Sequence, residues 1–198
     1  MLRTVSFAAI FLGGSIAMLP ALAQEARRSE VSVQALGSFV KTTTDNGVQQ
    51  SATNSGGVLA NYRFFFTNDN GVEVNYGYSL NTQTYGLPSG LFGAKANQHE
   101  MTAAYVYRHP LRRLTPFAEA GVGGLVFDPK DTPGASTQAR AAFVYGGGAD
   151  FTLTKRIFLR AEYRGLVFDS PTFGMSETSA TDRVTHRAEP SVGFGYKF

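Results

Sequence analysis

The last fifteen residues of the chain, 184–198, alternate strictly between two chemical classes. Because side chains of a β-strand point alternately to opposite faces, a period of two predicts a strand with one apolar and one polar face. The first face carries Val184, His186, Ala188, Pro190, Val192, Phe194, Tyr196 and Phe198, and the second carries Thr185, Arg187, Glu189, Ser191, Gly193, Gly195 and Lys197. The chain is therefore expected to end in an amphipathic strand that closes on a phenylalanine.

The first 23 residues predict an export signal. Arg3 supplies a positive charge, residues 5–19 are mostly apolar, and residues 21–23 read Ala-Leu-Ala, which is typical of a cleavage site. We expect residues 1–23 to be a cleaved signal peptide and residues 24–198 to form one domain. The chain has no cysteine, which excludes a disulfide and a cysteine-based metal site.

The charge of the predicted mature chain is almost balanced. Without Arg3, 17 lysines and arginines face 15 acidic residues, which leaves a net charge of +2. The basic residues are dispersed, so no nucleic acid partner is expected. Beyond residue 23, no apolar run approaches the roughly 18 residues that a membrane-spanning helix needs, so a β-rich fold is favoured.

Eight segments show the same alternation, and long and short connections alternate between them. The segments cover residues 30–41, 57–66, 72–80, 98–108, 116–127, 139–151, 157–168 and 184–198, and the long loops are expected at 42–56, 81–97, 128–138 and 169–183. Strands of about ten residues, in even number, suit a tilted membrane crossing. We predict an all-β fold, an eight-stranded antiparallel up-and-down transmembrane β-barrel with a polar, ion-paired interior.

The alternation alone leaves open which face points inward. A soluble barrel of the lipocalin kind would place the apolar face inside, around a ligand cavity. The long loops on one side only favour the membrane arrangement. So do aromatic residues near the segment ends, which would form interfacial girdles: Tyr62, Phe64, Phe66, Tyr105, Tyr107, Phe117, Phe151, Tyr196 and Phe198.

In the membrane arrangement, the polar face lines the barrel interior. Charged side chains in so narrow a barrel have to pair with one another. The expected interior ion-pair core consists of Arg63, Glu73, Glu100, Arg108, Glu119, Arg140, Asp150, Arg160, Glu162, Arg164, Arg187, Glu189 and Lys197. Seven positive charges then face six negative ones, which predicts a plugged lumen. Interior glycines are expected to make room for the long arginines.

Two phrases of the sequence resemble the small outer-membrane β-barrels of the OmpA/OmpX and opacity-protein type. They are the stretch Thr-Pro-Phe-Ala-Glu-Ala-Gly-Val-Gly-Gly at residues 115–124 and the ending Gly-Phe-Gly-Tyr-Lys-Phe at residues 193–198. The resemblance covers the whole mature chain. It implies an outer-membrane location, with outer-membrane lipids, lipopolysaccharide and the barrel assembly machinery as partners, and Tyr196 and Phe198 as the insertion signal.

The resemblance also implies a structural, adhesion or surface-binding role for the extracellular loops. The alternatives are a pore for small solutes or hydrophobic compounds, and a lipid A-modifying enzyme of similar shape. The deacylase type needs a serine two residues after its histidine, but Ala188 follows His186 at that spacing. His99 and His109 are expected to be rim and turn residues. No catalytic residue, cofactor or metal site is predicted, because the histidines and carboxylates lack ligand spacing.

Overall fold

The computed structural model describes residues 28–45, 48–87, 90–130, 134–171, 173 and 184–198. The expected signal peptide and most of the loop expected at 169–183 lie outside these ranges. Within them, no helix is long and apolar enough to cross a membrane. The described chain forms these strands: β1 (Ser29–Val40), β2 (Thr43–Asp45), β3 (Val48–Ala52), β4 (Ser55–Phe65), β5 (Asn70–Leu87), β6 (Gly90–Arg108), β7 (Leu114–Lys130), β8 (Gln138–Thr152), β9 (Ile157–Asp169) and β10 (Val184–Lys197).

Eight of these strands close into an antiparallel barrel, as the sequence predicted. The order around the barrel is β5, β4, β1, β10, β9, β8, β7 and β6, and the pairing of β6 with β5 closes it. The C-terminal strand β10 lies between β9 and β1, with Val33 opposite Phe194 and Leu159 on the other side of Phe194. Both described ends of the chain therefore lie at the end of the barrel with the short turns, called here the short-turn end.

The prediction of a long loop at residues 81–97 is wrong. β5 and β6 instead stay paired from Asn70 and Tyr107 up to Leu87 and Gly90. Part of the loop expected at 42–56 is also ordered, because β3 pairs with the upper part of β5 and β2 pairs with β3. These strands form a sheet beyond the barrel wall, called here the flap: β2, β3, and the parts of β5 and β6 in residues 81–97.

The apolar face points outward, so the lipocalin-like alternative is wrong. On the outer face, Val33, Val122 and Phe194 expose 62–65% of their surface. On the inner face, residues such as Gln34 and Asn75 expose 1% and 0%. An apolar exterior and a polar interior are what a barrel in the hydrocarbon layer of a membrane requires.

Most aromatic residues expected in a girdle do surround the short-turn end. Eight of the nine expose 38–55% of their surface on the outer face, namely Tyr62, Phe64, Phe66, Tyr105, Tyr107, Phe151, Tyr196 and Phe198. Phe117 is the exception and the prediction for it is wrong, since it is only 7% exposed and lies inside the barrel. Its ring lies 3.9 Å from the Arg63 guanidinium. Phe117 shares the parity of Glu119, which places both side chains in the lumen.

The interior glycines make room for backbone and for other side chains rather than for arginines. A β-carbon at Gly121 would lie 2.1 Å from the Ala103 carbonyl oxygen, and one at Gly193 would lie 2.1 Å from that of Val33. One at Gly195 would meet the Phe158 ring. In this narrow, strongly curved barrel, neighbouring strands approach more closely than a β-carbon allows at these sites.

We expect Gly123→Ala to lower the free energy of unfolding by about 1–3 kcal/mol, the usual effect of overpacking. The added methyl would lie 2.2 Å from the Met101 carbonyl oxygen, which is backbone and cannot rotate away. At neighbouring Gly124 the nearest atom is 3.7 Å distant, so Gly124→Ala should change stability by less than about 0.5 kcal/mol. Urea titration of the folded barrel measures both, and equal losses would contradict the close-approach explanation.

Candidate functional site

The barrel interior is bridged by an ion-pair network centred on Arg63. Arg63 on β4 binds Glu73 on the adjacent strand, and its Nη2 also lies 3.4 Å from Glu119 and 3.3 Å from Glu162. Glu119 belongs to β7 and Glu162 to β9, so these contacts cross the lumen. Gln34 on β1 donates a hydrogen bond of 2.9 Å to Glu162. One guanidinium thus joins four strands around the barrel.

A second group of ion pairs lies toward the short-turn end. Arg160 binds Asp150 through two hydrogen bonds of 2.6 and 2.8 Å. It also lies 3.6 Å from Glu73, which connects this group to the Arg63 network. Glu30 receives Arg108 at 2.7 Å, Arg160 at 3.4 Å and Lys197 at 3.7 Å. Bidentate pairs of this kind combine a strong hydrogen bond with a fixed geometry.

A third group lies toward the opposite end. Arg164 binds Glu100 and lies 3.3 Å from Glu189 and 3.4 Å from Glu119, so it too is continuous with the Arg63 network. Arg187 binds Glu100, and lies 2.7 Å from Glu189. Arg63, Arg160, Arg164 and Arg187 are each at most 2% exposed. Four buried arginines therefore fill the middle of the barrel.

The structure departs from the expected set of charged residues at two positions. Glu30 is an additional member, only 1% exposed, and it brings the interior charges to seven negative and seven positive. Its parity matches that of Ser32 and Gln34, which is a signal in the sequence that could have identified it. Arg140 is half-buried and donates to Gln138 at 3.4 Å, but no carboxylate among the described residues pairs with it.

Packing is tight beside Glu100 and Arg187. The space bounded by Ser79, Gln98, Glu100 and Arg187 leaves about 0 Å³ for a water-sized solute. On β6–β9, part of the inner wall is apolar at the level of these charged residues. The buried cluster there consists of Ala96, Ala104, Leu125, Phe127, Ala142, Val144, Leu166, Phe168 and Phe173. At the short-turn end, a cleft of about 230 Å³ reaches Glu30, Arg108 and Lys197.

Three interior carboxylates lie close enough together to be considered as metal ligands. Oxygen atoms of Glu73, Glu119 and Glu162 all lie within 4.8 Å of one another. Arg63 contacts all three carboxylates, so its guanidinium supplies the positive charge that a bound cation would bring. These residues are therefore better explained as an ion-pair cluster than as a metal site.

Two of the three histidines contact tyrosines on the outer face. His99 Nδ1 lies 2.9 Å from the Tyr76 hydroxyl, and His186 Nε2 lies 2.9 Å from that of Tyr145. His99 lies within β6, two residues from the flap, which is consistent with the expected place near the rim of the barrel wall. Tyr145 reaches His186 across the intervening strand because Gly165 has no side chain; a β-carbon there would lie 2.6 Å from the tyrosine ring. His109 lies in a turn, as expected.

The two C-terminal aromatic residues lie on the outer face at the short-turn end. Tyr196 and Phe198 stack with ring centroids 6.4 Å apart, and Phe198 also lies 6.4 Å from Tyr62. The Tyr196 hydroxyl accepts a hydrogen bond of 2.9 Å from Arg156. Both rings therefore face the surroundings of the barrel, where another molecule can contact them.

A family model described as outer membrane protein beta-barrel domain matches residues 8–198. The fold is similar to Neisserial surface protein A, with a TM-score of 0.64 and 16% identity over 86% of this chain and 97% of that one. It is similar to OprG from Pseudomonas aeruginosa, with a TM-score of 0.63 and 15% identity over 87% and 96% of the two chains. For Ail, the attachment invasion locus protein of Yersinia pestis, the TM-score is 0.52 and the identity 20%, over 88% and 100%. No curated protein matches in sequence.

Proposed function

The chain belongs to the outer membrane protein β-barrel domain family and is an outer-membrane protein, and on this premise we propose that it is a closed barrel with a structural and surface-binding role. The observation that carries the proposal is the set of four arginines, each at most 2% exposed, that bridges the lumen. A barrel filled in this way offers solutes no open path. Any contact with other molecules then takes place on its outer surfaces.

The flap is the part of the extracellular side that suits binding. It extends well beyond the roughly 9–11 residues that a strand needs to cross the membrane, since β5 has 18 residues and β6 has 19. Its backbone is held by pairing on both sides of β5, with Ser51 opposite Thr84 and Thr82 opposite Lys95. A paired sheet has a fixed backbone, which lowers the entropy lost on binding.

The proposal also covers how the chain is exported and assembled into the membrane. Residues 1–23 direct the chain across the inner membrane, and Tyr196 and Phe198 provide the aromatic signal that the barrel assembly machinery reads. Their exposure on the outer face supports this role, because the assembling strand has to be reached from outside the barrel. In the membrane, outer-membrane lipids and lipopolysaccharide surround the apolar face. The proposal includes no catalytic step.

Cell adhesion is expected to fall when the flap is shortened. Replacing residues 83–94 with Asn-Gly joins Thr82 to Lys95, which are already paired, through a favourable hairpin turn. Bacteria that display this variant should bind to epithelial cells or matrix-coated surfaces about as weakly as bacteria without the protein. A faster-migrating unboiled band on a gel checks that the variant is folded. Unchanged adhesion with a folded barrel would contradict a binding role for the flap.

Planar bilayers containing the wild-type protein are expected to show no steady channels, because the arginines fill the cross-section. The double variant Arg164→Ser/Arg187→Ser removes two of the four buried arginines and should produce resolved conductance steps. Steps of the same size with wild-type protein would instead support a pore for small solutes. The unboiled gel band again shows whether each preparation is folded.

Passage of hydrophobic compounds is a second candidate function, favoured by the buried apolar cluster of the inner wall. Leu125, Phe127 and Leu166 are each 0% exposed. Leu125 is paired with Glu100 and Leu166 with Arg187, so this apolar wall lies beside the charged network. Uptake of a hydrophobic dye into cells expressing the protein tests this role. Transport would be favoured over a structural role if these cells took up more dye than control cells, and if the folded Phe127→Arg variant abolished the difference.

A further inference from the structure

Two neighbouring turns at the short-turn end combine basic and apolar side chains. The turn between β6 and β7 carries Arg112 and Arg113, and the turn between β8 and β9 carries Lys155 and Arg156; all four are exposed. Each basic pair lies between exposed apolar residues. In the first turn these are Leu111 and Leu114, at 51% and 45%, and in the second they are Leu153 and Ile157, at 50% and 42%.

The two turns are joined into one surface. The Thr152 amide donates a hydrogen bond of 2.8 Å to the Arg113 carbonyl oxygen, and Leu114 pairs with Phe151 at the start of the β7–β8 ladder. The basic pairs therefore belong to adjacent turns. We call this surface the basic turn patch, and define it as Arg112, Arg113, Lys155 and Arg156.

The three arginines of this patch have no carboxylate partner among the described residues. Neither turn contains an aspartate or a glutamate. Two carboxylates in the barrel wall near this end, Asp150 and Glu30, are 2% and 1% exposed and are already bound to interior arginines. Arg112 and Arg113 form no ion pair among the described residues. Arg156 donates to the Tyr196 hydroxyl, which is a neutral partner.

The position of the patch identifies the class of molecule that it would contact. In bacterial outer-membrane barrels the short turns face the periplasm, so the patch lies level with the lipid head groups of the inner leaflet. Leucines next to arginines are typical of that boundary, since the apolar side chains enter the acyl layer while the cations stay among the head groups. Cations without acidic neighbours attract anionic lipids more strongly than zwitterionic ones.

We propose that the basic turn patch is a binding site for anionic phospholipids of the periplasmic leaflet, with phosphatidylglycerol as the simplest representative. The arginines contact the head-group phosphate, and Leu111, Leu114, Leu153 and Ile157 contact the first part of the acyl chains. This site lies on the membrane side opposite the flap, so it is independent of the surface-binding role proposed above.

Native mass spectrometry in micelles with equal amounts of phosphatidylglycerol and phosphatidylethanolamine, matched in acyl chains, tests the proposal. Wild-type protein should carry more phosphatidylglycerol. For the variant Arg112→Gln/Arg113→Gln/Arg156→Gln this enrichment should fall at least about tenfold, given the usual contribution of each cation near an anionic surface. The control, Lys41→Gln/Lys95→Gln/Lys130→Gln, removes three exposed charges at the opposite end of the barrel and should keep the wild-type ratio.

Three results would overturn the proposal. The first is an unchanged lipid ratio in the folded arginine variant. The second is an equal loss in the lysine control, which would indicate a general effect of net charge. The third is wild-type protein that sediments with purified peptidoglycan but shows no preference for phosphatidylglycerol, which would assign the patch to an acidic polymer. If the triple variant does not fold, Arg112→Gln/Arg113→Gln supplies the same comparison, with an expected loss of at least about threefold.

Discussion

Replacing Val74 with arginine is expected to lower the free energy of unfolding of the barrel by about 2–4 kcal/mol, or to prevent membrane insertion. Val74 lies in the middle of the membrane-crossing part of β5, between Tyr62 and Ala103 on the neighbouring strands. Its side chain points outward and is 51% exposed. An arginine at this level would place a guanidinium in the hydrocarbon layer, where it has no partner. Urea titration in lipid vesicles, followed by the unboiled gel band, measures the change.

Leu111→Arg is the matched control for this prediction. Leu111 is also 51% exposed, but it lies in a turn at the short-turn end, next to two arginines that already occupy the interface. The expected cost is about 0–1 kcal/mol, because a charge near the head groups stays hydrated. If Val74→Arg and Leu111→Arg were equally tolerated, the outer face would not be in contact with hydrocarbon.

Replacing Arg63 with methionine should lower the free energy of unfolding by about 3–5 kcal/mol, as expected when one partner of a buried ionic network is removed. Methionine approximates the stem of the side chain but leaves Glu73, Glu119 and Glu162 facing one another, within 4.8 Å, without their shared cation. The Phe117 ring also loses the guanidinium that lies 3.9 Å from its centre. The midpoint of urea unfolding measures the change.

Two further variants separate loss of charge balance from general disruption. Combining Arg63→Met with Glu119→Gln removes one of the three carboxylate charges that face one another, so the double variant should be more stable than Arg63→Met alone. Arg112→Met removes an exposed arginine without an ion pair among the described residues and should change stability by less than about 0.5 kcal/mol. If the loss in free energy of unfolding of the double variant equalled the sum of the losses of the two single variants, Arg63 and Glu119 would not interact.

The sequence predicted the barrel because its strands are amphipathic on a local scale. Each crossing strand has to present apolar side chains to lipid and polar ones to the lumen, and this requirement repeats every two residues. The strand count, the two faces and most interior charges follow from it. Where nearness to a strand end and parity disagree, parity is correct: the position of Phe117 near a strand end predicts a girdle residue, but Phe117 shares the parity of Glu119 and lies inside the barrel.

The predicted loop at residues 81–97 was wrong for a related reason. Gly86, Pro88 and Gly90 predict a loop there, because glycine and proline often interrupt strands. Beyond the membrane, however, β5 and β6 continue as a paired hairpin up to Leu87 and Gly90. Thr82 and Thr84 are residues that suit a strand, and this propensity was the available signal.

Which charges pair could be decided only by the tertiary structure. Periodicity places Arg63, Glu119 and Glu162 on the inner face, but these residues are up to 99 positions apart in the chain. Their contact depends on the curvature of the closed barrel and on the register of every strand between them. Periodicity acts over a few residues of one strand, whereas closure brings together side chains from opposite walls. The sequence by itself therefore determined the membrane barrel and its two faces, and the fold decided that its interior is one connected network.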